Sequence, residues 1–152
     1  MSPPAWMLAL GVPGKCIEPL AAAQENQRRF KLEVARNRTV WRVRVDGCWL
    51  SSPQQKKVDY LFCVEEPSGS WKLILVELKG KDFGHALEQI SQVVEFIKAQ
   101  PTFQKLGSQP IQAVVVLSNG NNVPAYQRER DRLRARHGIQ VIAKSQHYTM
   151  TL

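Results

Sequence analysis

Cysteine and histidine are scarce in this chain, three of each among 152 residues. Cys16, Cys48 and Cys63 form no close pair and no CxxC. Their spacing suggests neither a zinc clip nor an even disulfide framework, and a reducing, cytoplasmic setting is expected. No two of His85, His137 and His147 have metal-ligand spacing, and each is expected at the surface. Long apolar runs are missing too: residues 6–10 are apolar but too short to span a membrane, and residues 1–4 lack the positive start of a signal peptide. No membrane partner is expected, and residues 1–15 read as an arm that forms a strand, a flap or an ill-ordered segment. Repeats and low-complexity stretches are absent. Acidic residues are the minority, 13 against 21 Lys and Arg, and the formal charge of +8 suits encounter with a polyanion such as nucleic acid. With 43% hydrophobic and 22% charged residues the composition is that of an ordinary globular protein, and this length fits one domain.

The apolar spacing predicts the elements. Residues 17–29 read as a first helix, with Pro19 tolerated in its first turn and Ala21, Ala22 and Ala23 favouring helix. From residue 30 to 50 the pattern turns β-like, and residues 40–45 alternate apolar and basic with a period of two. A polar link at 51–55 leads to a strand over 58–64, a turn at 65–70 and a continuous apolar strand over 71–78, together a hairpin. Phe83, Leu87, Ile90, Val94 and Ile97 recur at helical spacing up to about residue 99, where Pro101 closes the helix. A strand over 111–117, a polar loop over 118–122, a charged helix over 124–137 ended by Gly138 and a strand over 139–143 complete the chain. The expected class is α/β (α+β), a central mixed β-sheet flanked by helices in the order αβββαβαβ. Residues 16–117 form the expected catalytic core, and residues 118–152 add a C-terminal helix and strand.

Chemistry concentrates on the hairpin. Residues two apart in a strand share a face, so Glu77 and Lys79 project together from the end of a strand whose preceding residues, Leu73 to Val76, are all apolar. Asp59 lies near the start of the partner strand, and a tight hairpin brings the start of one strand beside the end of the other. Two carboxylates converging at the edge of a core repel unless a cation lies between them, and hard oxygen ligands suit magnesium or manganese. Such a metal polarises a phosphodiester and acidifies a water, while Lys79 stabilises charge on the phosphorane or orients the attacking water. The competing reading is an ion pair among these three residues that caps a strand end.

The segments Val58-Asp59-Tyr60-Leu61 and Leu75-Val76-Glu77-Leu78-Lys79-Gly80 resemble the motifs of the PD-(D/E)xK nuclease superfamily, which includes restriction enzymes, Holliday-junction resolvases and mobile-element nucleases. The resemblance runs from about residue 25 to residue 117 and rests on the order of the parts: hydrophobic hairpin, spaced acid, ExK at a strand end, then a helix carrying Gln. It implies a restriction-endonuclease-like core, metal ligation by Asp59 and Glu77, catalysis with Lys79, and a site role for Gln89. Val58 stands where the motif's Pro would be. A further Glu on the first helix is implied as a ligand; Glu18, Glu25 and Glu33 compete, and Glu25 is preferred. The implied activity is endonucleolytic hydrolysis of DNA with Mg2+, for which Mn2+ substitutes. A homodimer, or a larger complex in defence, repair or transposition, is the implied assembly. Arg42, Arg44, Lys56 and Lys57 lead to Asp59 and are the preferred track for the DNA backbone, ahead of the arginines of residues 127–137, which suit phosphate contacts and intrahelical pairs equally. A rival reading is a non-catalytic nucleic-acid-binding or assembly module on the same fold.

Overall fold

The computed structural model describes residues 2–52, 57–80, 82–105, 111–118 and 123–152. A short helix α1 (Ala5–Ala9) leads through a 3-10 turn into strands β1 (Ile17–Glu18), β2 (Ala22–Glu25), β3 (Arg28–Glu33) and β4 (Val40–Arg44). The hairpin strands β5 (Tyr60–Glu65) and β6 (Trp71–Gly80) follow, then helices α2 (Phe83–Lys98) and α3 (Pro101–Lys105) and strand β7 (Ile111–Leu117). A 3-10 turn (Val123–Tyr126), helix α4 (Gln127–His137) and strands β8 (Gln140–Ser145) and β9 (His147–Thr151) end the fold.

Six strands form a mixed sheet in the order β1-β4-β5-β6-β7-β8, antiparallel as far as β6 and parallel from β6 to β8. Both of its faces are covered, which is why β6 and β7 read as unbroken apolar runs. Leu61, Leu73, Leu75 and Val115 lie in one core with Phe83, Leu87, Ile90, Val94 and Ile97 of α2. Phe62, Ile74, Val76, Leu78 and Val114 lie in a second core with Phe30 and Leu32 of β3 and Met150 of β9. Helices thus flank one face, and a three-stranded sheet, β2-β3-β9, covers the other. The expected α+β architecture with a mixed sheet is present.

The expected helix over 17–29 is replaced by β1, β2 and the first residues of β3. Its Ala-rich stretch has helix propensity, but Ala23, Phe30 and Leu32 bury against the large sheet, and that burial outweighs a preference of a few tenths of a kcal/mol per residue. The order αβββαβαβ is corrected accordingly, with β9 as an additional strand. The apolar start of the arm is a helix docked on the α2 side: Met7 is buried and Trp6 packs edge-on against Trp71 at 5.5 Å. Cys16 and Cys48 are joined by a disulfide across a Cα–Cα distance of 5.8 Å, against the expectation of unpaired thiols. The turn before β1 is thereby tied to the turn after β4, and the ground for expecting a reducing compartment is removed. Cys63 is a free, fully buried thiol that burial pushes well above its ordinary pKa. Among the described residues no helix is long and apolar enough to cross a membrane.

Candidate active site at the open end of the β5–β6 hairpin

Among the described residues, Asp59 and Glu77 are the two polar or charged residues counted as buried, 5% and 2% exposed. The β5–β6 register runs from Glu65 opposite Trp71 to Tyr60 opposite Val76. One step further along the same register places Asp59 opposite Glu77. Alternation continues the face of Leu73 and Leu75 to Glu77, the side covered by α2. The two carboxylates are therefore neighbours at the end of the hairpin, as the sequence spacing predicts.

A single residue ties the surroundings together. The Leu78 N–H donates to Asp59 Oδ2 at 2.8 Å, so the carboxylate supplies an acceptor where β5 has already ended. On the other side, the β6–β7 register shifts between Glu77 and Gly80, a bulge of the kind that re-aims side chains near functional sites. The Leu78 carbonyl accepts from Arg28 Nε, and Arg28 Nη1 donates to Ser118 Oγ at 2.8 Å. Lys79 follows Leu78 on the bulged stretch of β6.

Gln89, on α2, donates through Nε2 to the Lys57 carbonyl at 2.6 Å, two residues before Asp59. It fastens the approach to Asp59 onto the helix. Glu25 ends β2 instead of lying on a helix, and it pairs in register with Arg28. Burial first, then the Glu25 charge and, more weakly, that of Asp59 raise the Tyr60 phenol above its ordinary pKa, against the lowering effect of Arg42 and Arg44. Glu25 and Asp59 thus act on the same group. Of the competing acids, Glu18 is engaged by Arg42 at 3.0 Å and Arg44 at 3.5 Å, and Glu33 lies exposed at the far end of β3.

The basic residues divide. Arg42 bonds the Ala22 carbonyl and Glu18 and lies over the Tyr60 ring at 5.1 Å, which joins β2 to the large sheet and braces β1 within it. The Arg44 side chain is about half exposed. Lys57 is held 3.8 Å from Asp46 with its side chain 9% exposed. Lys56 lies outside the described residues, as do most of the polar link expected at 51–55 and of the loop expected at 118–122. On α4, Arg130 turns inward to the Val141 carbonyl at 2.6 Å, while Arg136 pairs with Glu95 at 3.0 Å. His85 is exposed as expected, but the His137 side chain is 9% exposed beside Glu95, a correction to its surface reading.

Compared with protein families, with curated proteins and with solved structures, the chain finds no match. The residue missed by sequence reasoning is Arg28. Its signal was the alternation of Arg28-Arg29-Phe30-Lys31-Leu32-Glu33, which has the period of a half-buried strand.

Proposed function

We propose that this protein hydrolyses DNA phosphodiester bonds in a magnesium-dependent reaction, on a restriction-endonuclease-like core whose centre is Asp59, Glu77 and Lys79. The observation that carries the reading is the burial of two carboxylates side by side, in a protein whose remaining described charged residues lie nearer solvent. Burying an ionised carboxylate is costly unless the site compensates it, and two together compound the cost.

Asp59 and Glu77 fit a magnesium ion. Magnesium is commonly held by one or two protein carboxylates, with water and substrate phosphate completing its shell, so a cluster of three protein acids is not required. Among the described residues no group of three His, Cys, Asp or Glu converges, so Asp59 and Glu77 would hold the ion as a pair. When bound, the metal would supply charge stabilisation and an acidified water.

The chain's own residues do the rest. Asp59 is held in direction by the Leu78 N–H, and the segment before it by Gln89. Lys79, next along β6, would offset charge that builds on the phosphoryl oxygens. Glu25, on β2 of the smaller sheet, would act through its field, which reaches Tyr60 next to Asp59. The net charge of +8 favours encounter with DNA. Cutting both strands of a duplex at one position would call for two copies of this site, hence a homodimer.

The test is cleavage of supercoiled plasmid and of a branched junction by wild type and Lys79→Ala, each with magnesium, manganese or EDTA. Metal-dependent cutting that disappears in Lys79→Ala is the expected result. If neither DNA is cut under any condition while DNA binding is unchanged by the mutation and by EDTA, the hydrolytic reading fails and a binding module replaces it.

A further inference from the structure

A polar cavity of about 460 Å3, lined by Asn26, Gln27, Arg28, Ser118 and Gln146, lies on the Arg28 side of Leu78. Its connection to the site is direct, because Leu78 gives its N–H to Asp59 and its carbonyl to Arg28. The volume lies within the range of small-ligand pockets. We infer that this cavity is the nucleotide subsite of the proposed hydrolysis, where Arg28 meets a phosphate of the DNA strand and Asn26, Gln27 and Gln146 read the edge of one base.

The inference rests on the reading of Asp59 and Glu77 as the hydrolytic centre, and three features of the pocket carry it further. The first is charge. Among the described residues of the lining Arg28 is the one ionisable group, and the others are amides and a hydroxyl. A site with a guanidinium among neutral donors suits an anion joined to a polar planar group. Arg with phosphate, and Asn or Gln with the paired donor and acceptor of a base edge, are the side-chain chemistries that meet a nucleotide.

The second feature is preorganisation. Arg28 is fixed by the Leu78 carbonyl and Ser118 Oγ, so its guanidinium keeps one plane and one direction. Gln146 is clamped through its backbone: its N–H donates to the Leu117 carbonyl at 2.8 Å and its carbonyl accepts from the Arg29 N–H at 2.8 Å. A ligand that meets Arg28 finds it already oriented, while the exposed side chains of Asn26, Gln27 and Gln146 would be ordered on binding.

The third feature is conformational. Asn26 at φ 55° and Gln146 at φ 63° are the two non-glycine residues described with positive φ, and both line this one cavity. Asn is an ordinary residue in that region of a two-residue hairpin turn, as at Asn26 between β2 and β3, whereas at Gln146 a side chain is kept at a strain that glycine would avoid. Beyond the pocket Arg29 and His147, register partners on β3 and β9, line a second hollow with Lys31 and Glu33, along which the strand would leave.

The same positive φ gives a clean test. The double variant Asn26→Gly, Gln146→Gly removes both amides at positions where glycine fits the backbone, so the fold is expected to persist, checked by an unchanged melting temperature. Binding of a short fluorescein-labelled DNA, measured by anisotropy in EDTA, is expected to weaken on the order of tenfold. The cut sites mapped on a long duplex are expected to lose a base preference at one fixed position from the scissile bond. If wild type cuts and the variant binds and cuts with unchanged affinity and preference, the subsite is refuted and the hydrolytic reading stands. If wild type cuts nothing, the hydrolytic reading falls, and the anisotropy decides alone: weakened binding in the variant supports a nucleotide pocket, and no wild-type binding overturns it. Should the double variant fail to fold, Gln27→Ala, an exposed turn substitution, takes its place with the same readouts.

Discussion

Replacing Asp59 by Asn separates a metal site from a structural one. The amide keeps an oxygen for the Leu78 N–H, now 2.8 Å from the carboxylate, and removes only the charge. A hydrogen bond to a charged group contributes roughly 1.5–3 kcal/mol and one between neutral groups about 1 kcal/mol, so the weaker acceptor costs about 0.5–2 kcal/mol. Removing one of two neighbouring buried anions offsets part of that cost. At roughly 2–4 °C per kcal/mol for a chain of this size, the metal-free variant melts at most about 8 °C below wild type. Magnesium at ten times its dissociation constant stabilises a protein that binds it by about 1.4 kcal/mol. The wild-type melting temperature is therefore expected to rise by roughly 3–6 °C, and Asp59→Asn to lose that rise. Calorimetric melts in EDTA and across a magnesium or manganese series measure both quantities, with exposed Asp131→Asn as the control for weak surface binding. A wild-type melt that neither ion moves throughout the millimolar range refutes the reasoning. So does an equal rise in wild type and Asp59→Asn, because the ions then bind elsewhere.

Two further expectations concern stability. The Cys16–Cys48 disulfide closes a separation of 32 residues, for which chain entropy gives about 3.7 kcal/mol; Cys16→Ala with Cys48→Ala should lower the urea midpoint accordingly, and an unmoved midpoint contradicts the bridge. His137 is held below its ordinary pKa of 6.5 by burial first and by Lys98 and Arg136 next, against the opposing Glu95. The unfolded chain therefore takes up the proton at the higher pH, so this stability is complete above about 6.5 and declines as pH falls through the lower folded value. His137→Gln should flatten the dependence of melting temperature on pH in that window, and an unchanged slope counts against the assignment.

How legible the fold was depended on whether local pattern and tertiary burial agreed. In α2 they agree: the apolar residues at helical spacing are those that bury, and Asp82 accepts from the His85 N–H at its start. In α4 the left-handed Gly138 ends the helix where the sequence places it. The β5–β6 hairpin was readable because a strand covered on both faces must be apolar at every position, and that left Glu77 conspicuous. Residues 17–29 were misread because propensity was weighed and the partner surface could not be. Ala23, Phe30 and Leu32 are apolar in either reading, and only the large sheet beneath them selects strands. The disulfide was unreadable for a related reason, since a pairing over that distance in the chain is fixed by folding and leaves no spacing signal.

Asp59 and Glu77 were legible from spacing alone, and Asp59 also has a local structural task. β6 outruns β5, with registered pairs ending at Tyr60 and Val76, and the Leu78 N–H beyond that point needs an acceptor. Asn or Ser at residue 59 would supply one without burying an anion. Glu77 continues a face whose preceding residues, Leu73 and Leu75, are apolar, and packing there would favour another aliphatic side chain. Backbone pairing and apolar packing alone would be met here by a neutral acceptor and a hydrophobe, whereas the chain carries two buried carboxylates, each of them with interaction partners. Such departures from local economy gather at sites selected for chemistry. The register shift beside Glu77, the grip of Arg28 on Leu78 and the tether from Gln89 to Lys57 fix the backbone around the two carboxylates, which is what the proposed metal-assisted attack on phosphate would use.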